Sequence, residues 1–453
     1  MRVSTGMIFD AGVNTINRQT GSLLHLQQQV ASGRRILSPS DDPVASARAL
    51  EVTQSQDITA QFKLNHNNAN SALGLEEAQL SSASDLLARV RELAVQAGNT
   101  SLSGSDRRAI TSELRARFEE LTGIANATDG TGQYIFSGFM GSTVPFGGNV
   151  DAIVSGAKAD IDYMGDDGQR RLQVSPTRFL EVSDSGRDVF SRIQNGNGHF
   201  VTDYPKNVAG VGTNTGTGMI DAGSVTEPAK WNALAAKNFS INFSIDNTVV
   251  PPVTYYDILD TATGFSALTG GFPSLPPTPA TGQRVYQSGQ PIILKDQPVV
   301  APTPAEIPFD FGASVVIAGA PGSGDSFSIA PSSSQSVFKT IAKLIGAMES
   351  ASTVTSATTT NLANDIGFAL TNLDQATDNI LRVRAQIGSR MAELESISSV
   401  NEDLNIQYQQ TLSQLQDLDY AKAISDLTRK QTDLQAAQQS FVRMSQLSLF
   451  NYL

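Results

Sequence analysis

The side chains that carry catalysis or bind metals are sparse in this chain, and none stands in an arrangement that such chemistry requires. There is no cysteine, which removes thiolate nucleophiles, thiolate metal ligands and disulfides together and leaves the redox compartment open. His25, His66 and His199 are far apart in sequence. Two of them fall on predicted helices beside polar residues, where a solvated or packed imidazole is a plainer reading than a general base. No histidine opens an H-E-x-x-H zinc signature, and no G-x-S-x-G nucleophile elbow occurs. Asp160, Asp162, Asp166 and Asp167 superficially resemble a calcium loop. Counting from Asp160, however, puts Met164 at the fifth ligand position and Arg171 at the twelfth, where oxygen donors are needed. A strand followed by the turn DYMGDDG accounts for these aspartates better. Gly210, Gly212, Gly216 and Gly218 lack phosphate-loop spacing and a following lysine, so a flexible surface loop is expected there. The residues therefore predict no catalytic, metal or cofactor site, and no enzyme.

Composition narrows the partners. At 453 residues the chain is too long for one core and implies several domains. A net charge of -12 disfavours nucleic acid and anionic membrane as partners, and no apolar stretch approaches the length of a membrane span. The opening MRVSTGMIFDAG is interrupted by Asp10 before an apolar core can form, so export without a cleaved signal peptide is the expectation if the protein leaves the cell.

The strongest pattern lies in the two ends. Phe9, Ile16, Leu23, Val30 and Leu37 recur every seventh residue, as do Tyr420, Leu427, Leu434 and Phe441. A heptad stripe is a seam that wants another helix. The opposite faces are built from Gln, Ser, Asn and Thr: before Gly33 the charged residues are Arg2, Asp10 and Arg18, and after Lys430 they are Asp433 and Arg443. Neutral faces suit burial among copies of one molecule, because in a symmetric polymer a charge meets its own image at every step. An intramolecular bundle with a Gln-rich surface fits the periodicity equally well.

Proline maps the rest. Pro39 and Pro43 stand near the start, and the other seventeen of 19 lie between Pro145 and Pro331, so long helices flank a proline-rich insertion. Asp42 and Pro43 read as the N-cap and first position of one long helix, or two nearly collinear ones, running to about Ala97, with a bend or break expected between Asn65 and Gly74. A further helix spans about Asp106 to Asn126, and DGTGQYIFSGF reads as a turn leading into a hairpin. Phe239, Ile241, Phe243 and Ile245 alternate with polar residues as in a half-buried strand, and Asp325 to Ile329 repeat the pattern; PSLPPTPATG (273–282) separates such runs. Helix resumes near Gln335. A heptad core of Ile380, Ile387, Leu394, Asn401, Tyr408 and Leu415, with Arg390 and Thr411 as imperfect positions, breaks between Leu418 and Tyr420. The expected fold is α+β and multidomain: a long helical bundle or coiled-coil core from the N- and C-terminal segments, with an inserted β-rich outer domain. The expected domains are 1–44 with 415–453 (terminal helices), 45–140 with 334–414 (bundle with hairpin), and 141–333 (β-rich, in one part or two).

VASGRRILSPSDDPVASARAL (30–50) and LDYAKAISDLTRKQTDLQAAQQSFVRMSQLSLFNYL (418–453) resemble the paired terminal signatures of the flagellin superfamily. Gly33, Asp41, Asp42 and Pro43 carry the first signature. Asp41-Asp42-Pro43, GQYIFSGF (132–139) and the ending SLFNYL resemble the hook-associated protein 3 family, the hook-filament junction proteins, more than flagellin itself. YMGDDGQRRLQVSPTRFLEVSDSGRDVF (163–190) looks like the start of that family's outer domain. The resemblance implies an extracellular structural part of the bacterial flagellum, exported through the flagellar type III apparatus with a dedicated chaperone. Its partners would be hook-associated protein 1, flagellin and further copies of itself in a layer. It also implies that the stripe residues, with Leu449 and Phe450, form the subunit interface. The alternatives are a minor flagellin that forms filament, or a surface-displayed glycan-binding or enzymatic module in the insertion, where Trp231, Tyr255 and Tyr256 could stack on sugars, although core packing is the commoner use of such residues.

Overall fold

A computed structural model of the chain describes residues 5–99, 101–207, 212–234, 237–272, 283–297, 306–350 and 356–450, without the side chains of residues 5, 8, 356–358 and 445–450. The proline-rich stretch 273–282 and Gly210 lie outside the described residues. The helices are α1 (Thr5–Ser32), α2 (Pro43–Ala97), α3 (Gly104–Ala125), α4 (Val150–Val154), α5 (Pro228–Ala233), α6 (Val337–Ser350), α7 (Ser356–Gln416) and α8 (Tyr420–Phe450), with the strands lying between α3 and α6. The chain divides into two compact units. One comprises Met1–Asn68, Gln173–Phe179 and Glu393–Leu453, and the other Ala69–Leu172 and Leu180–Ala392. The first unit thus reaches further along both long helices than 1–44 with 415–453.

In the first unit the carboxylate of Asp42 accepts the Ala45 N–H at 3.0 Å and caps α2, with Pro43 as its first residue. No break interrupts the stretch from Asn65 to Gly74, because α2 is helical throughout, and the boundary between the two units falls there, after Asn68. The polar side chains there bond elsewhere instead of disturbing their own helix. Asn65 donates to the Gln173 carbonyl at 2.8 Å, and buried His66 donates from Nε2 to the Val174 carbonyl at 2.8 Å. His66 is therefore a packed histidine. Facing it, Asn401 of α7 points its amide at the same carbonyl, 3.4 Å away, which accounts for an asparagine at a heptad core position.

The second unit begins with the antiparallel pairing of α2 and α7. Leu73, Leu80, Leu87, Leu373, Ile380 and Ile387 are completely buried, as heptad spacing requires. Ion pairs Arg384–Glu77 (2.7 Å) and Arg91–Asp374 (2.8 Å) fix the register. Arg390, imperfect in the heptad, reaches the buried carboxylate of Asp184 at 2.8 Å, and Asp184 donates its N–H to the fully buried Glu76. Phe118 and Phe338, from α3 and α6, share an aromatic cluster with Phe136, Phe146 and Phe190 at centroid separations of 5.2–5.8 Å. This cluster groups Phe146 and Phe190 with the helices, although both fall within the expected β-rich stretch 141–333. The hairpin expected over DGTGQYIFSGF is reduced to one bridge, Thr128 with Tyr134. Asp129 explains why, because its carboxylate accepts N–H groups from Thr131 and Gln133 and closes a turn.

The β-rich region is two antiparallel sheets over one core. The first orders Arg284–Val285, Val253–Asp260, Phe239–Asp246, Ser326–Pro331 and Phe200–Asp203; the second orders Pro291–Lys295, Asp310–Ala318 and Met219–Ile220, with Ser224–Val225 also on the middle strand. Phe200, Trp231, Phe239, Ile241, Val315, Ile317 and Phe327 meet in a single cluster fed by both sheets. The alternation holds through Phe243 and then slips: Ser244 and Asp246 are buried while Ile245 is half-buried. Ser244 donates to Gln283 and Asp246 accepts from Thr248, so both polar groups are satisfied.

Candidate subunit interface at the joined chain ends

The two chain ends fold onto each other. In the first unit α1 and α8 pack antiparallel: the rings of Phe9 and Phe441 lie 5.0 Å apart near one end, and Gly33 meets Tyr420 at the other. Gly12 lets the Phe441 ring approach, since a Cβ there would lie 2.7 Å from it. Ile16, Leu23 and Val30 of α1 and Leu427, Leu434 and Phe441 of α8 are all half-buried. Leu449 and Phe450 fall on α8, but their side chains lie outside the described residues. Leu37 does not continue the stripe. α1 stops at Ser32, where Gly33 takes φ +71°, a left-handed value open to glycine, and Leu37 lies beyond in the connector.

This pair leaves much apolar surface uncovered. Among the described residues α1 has no buried side chain and α8 has only Ala423. Met7 (65%), Phe9 (52%), Leu24 (54%), Ile424 (53%) and Val442 (50%) stay open to solvent. Reading single heptad stripes overlooks several of these. Leu24 and Val442 adjoin stripe residues and Ile424 lies one turn from Tyr420, so the apolar surface is wider than one stripe, a width legible in the sequence. One helix partner cannot cover a band of that width.

The basic and acidic residues of the N-terminal signature tie the helices together. Arg35 donates its backbone N–H to Gln416 O and its guanidinium to Leu415 O, both at 2.7 Å, while the Leu418 N–H reaches Gly33 O at 3.0 Å. Arg35 also contacts Asp42 at 3.2 Å. Asp41 accepts the N–H groups of Leu37 and Ser38, both at 2.9 Å, and faces His25 at 3.3 Å. The Ser38 and Leu37 N–H groups hold the Asp41 carboxyl below its usual range, and the Ala45 N–H, helped by Arg35, does the same for Asp42. Both aspartates thus serve as turn and helix caps. The heptad break between Leu418 and Tyr420 is the α7–α8 junction, where Asp419 caps α8 through the Lys422 N–H at 3.1 Å.

The other candidate motifs resolve into structure. The Asp166 carboxylate accepts N–H groups from Phe139 and Gly168, Asp167 pairs with Arg192, Asp162 with Lys158, and Asp160 bonds Ser336. Those four aspartates are spread over different contacts. The described part of the Gly loop is pinned, contrary to expectation, because the buried Asp325 carboxylate accepts the N–H groups of Thr215, Gly216 and Gly322 at 2.7–2.9 Å. Trp231 and Tyr256 are core residues (1% and 5% exposed), so neither presents a face to a sugar; Tyr255 is half-buried.

Comparison with known proteins bears on both ends. The family model for the bacterial flagellin N-terminal helical region matches residues 3–140, and that for the C-terminal helical region matches residues 370–453. Flagellar hook-associated protein 3 of Salmonella typhimurium is 31% identical over 193 residues, which are 43% of this chain and 58% of that protein. The chain thus spans little more than half the length of that relative. Among solved structures, the flagellar junction protein FlgL from Legionella pneumophila aligns with TM-score 0.65 and 29% identity, over 82% of this chain and all of that one. FlgL of Xanthomonas campestris aligns with TM-score 0.57 and 30% identity, over 74% of this chain and 91% of that one.

Proposed function

The chain belongs to the hook-associated protein 3 family of the flagellin superfamily, and from that premise we propose that it is a structural adaptor of the bacterial flagellum. In this reading it forms a layer between hook-associated protein 1 and the first flagellin subunits, outside the cell, after export with a dedicated chaperone. The carrying observation is the open apolar band on the paired chain ends. Residues such as Phe9, Leu24, Ile424 and Val442 are too exposed to be a finished core, and neighbouring copies with the same helices supply the missing cover. On α1 and on α8 beyond Lys430 the faces around the band carry mostly amides and hydroxyls, so a stacked copy meets few repeated charges there. Phe9, Ile16, Leu23, Val30, Tyr420, Leu427, Leu434, Phe441, Leu449 and Phe450 are then interface residues. Leu37, Gly33, Asp41, Asp42 and Pro43 act on the connector that sets the angle between α1 and α2. No catalytic role is assigned.

Deleting the gene in its host tests this. The adaptor reading expects bare hooks with flagellin released into the medium. Intact filaments on the deletion strain would contradict it. The match of both chain ends to flagellin models favours a second reading, a minor flagellin, and purified protein polymerising alone into long filaments would support that instead.

A further inference from the structure

Apart from the assembly surface, the second unit contains a cavity of about 600 Å³ between α6, the start of α7 and the strand Phe200–Asp203. That volume falls within the range of small-molecule sites. Its lining is mixed: Ile153, Val154, Leu362 and Phe368 bring apolar surface, whereas Lys343, Gln335 and Asn361 bring polar groups. Two lysines line it, and they differ in one decisive respect. Lys206 is neutralised by Asp365 at 2.7 Å and Asp203 at 3.5 Å. Lys343, among the described residues, has no carboxylate partner; its ammonium donates to the Gln335 amide oxygen at 3.1 Å, and Gln335 in turn donates to Thr340. Glu349, at the rim, is held by Arg115 at 2.8 Å.

We propose that this cavity binds a small organic anion, a monocarboxylate with an apolar body, whose carboxylate takes the uncommitted Lys343 ammonium while its body lies against Ile153, Val154, Leu362 and Phe368. An ammonium with three donors and one neutral acceptor has donors to spare, and a charge-assisted bond to a carboxylate is the strong way to use them. Lys206 and Lys343 together balance Asp203 and Asp365, so a carboxylate entering at Lys343 meets no net charge from these four groups. Surrounding protein also depresses the Lys343 pKa, with Lys339 and Lys206 adding to the effect and Asp203 and Asp365 opposing it. The side chain nevertheless stays accessible to water. The charge of a bound anion would offset that depression.

Titration of the full-length protein with benzoate, and separately with its neutral isostere benzamide, tests this by calorimetry. The expected result is saturable one-site binding of benzoate, with benzamide and the Lys343→Met variant each weakened about tenfold or more and Lys343→Arg retaining binding. Methionine keeps an apolar stem of similar length, and an unchanged melting transition would establish that the variant folds. As a second readout, acetylation of Lys343 by an amine-reactive ester, mapped by peptide mass spectrometry, should be slowed by benzoate and not by benzamide. Absence of saturable benzoate binding, equal binding of benzamide, or unchanged binding by Lys343→Met would each overturn the proposal.

Discussion

Trp231, Val315, Ile317 and Phe327 in the β-rich region are each at most 1% exposed, whereas Phe9, Ile424 and Val442 on α1 and α8 keep about half of their surface open. The two regions use similar side chains to opposite ends. The sheets face each other and close one core, so each apolar residue finds its neighbours within the chain. The terminal helices find one partner each, and the remainder of their apolar surface stays uncovered. Under the proposed function, local order has different sources: packing inside the β-rich region, and neighbouring subunits at the ends, because two exposed helices bury too little to offset their ordering entropy alone.

The largest effect that separates the regions is functional. Leu427→Asp together with Leu434→Asp should leave the melting transition of the second unit unchanged but remove the protein from isolated flagella, measured by immunoblot of sheared filaments with their hooks. Trp231→Ala should do the reverse to stability. Emptying a site packed against Phe200 at 5.0 Å should cost about 3–5 kcal/mol in chemical denaturation, with no change in the helicity of the terminal segments.

A pH-dependent effect sharpens the contrast further. Burial, reinforced by the nearby Asp184, pushes the Glu76 carboxyl up to about 8 from an ordinary 4.5, with Arg390 and Arg170 opposing. Over that window the folded chain holds a proton that the unfolded chain has lost. Stability of the second unit should therefore fall as pH rises from about 4.5 to about 8. Glu76→Gln, which carries no titrating proton, should flatten that fall in thermal melts across the range, while any pH dependence of α1 and α8 stays as it was. The smallest effect belongs to the connector. Gly33→Ala forces an L residue to φ +71° and sets its Cβ 2.8 Å from the Tyr420 hydroxyl, at about 1–2 kcal/mol. Faster amide exchange at the start of α8 is the expected readout.

The helical plan was legible because heptads, caps and proline are local signals. Asp42 and Pro43 announced the start of α2, and the frame break near Leu418 marked the α7–α8 junction. What the sequence hid was long-range. Nothing local says that Asn65 and His66 bond the carbonyls of Gln173 and Val174, so a polar run read as a bend or break in the helix. Arg390 looked like a flaw in a heptad because Asp184, its partner, is 206 residues away. Asp325 likewise anchors the Gly loop from 109 residues further along the chain, and a loop without phosphate-binding spacing read as flexible. The apolar stripes and the wider band around them were visible in the sequence, yet how much of that band one helix partner leaves open appeared only in the fold.

The central claim is that the paired ends assemble the protein while the rest of the chain folds by itself. Truncation after Asp419, which removes α8, tests it most directly when the truncated protein is expressed in the deletion strain. The purified truncated protein should keep the melting transition of the second unit unchanged, and none of it should be found in isolated flagella. Truncated chains found at the hook-filament junction would contradict it.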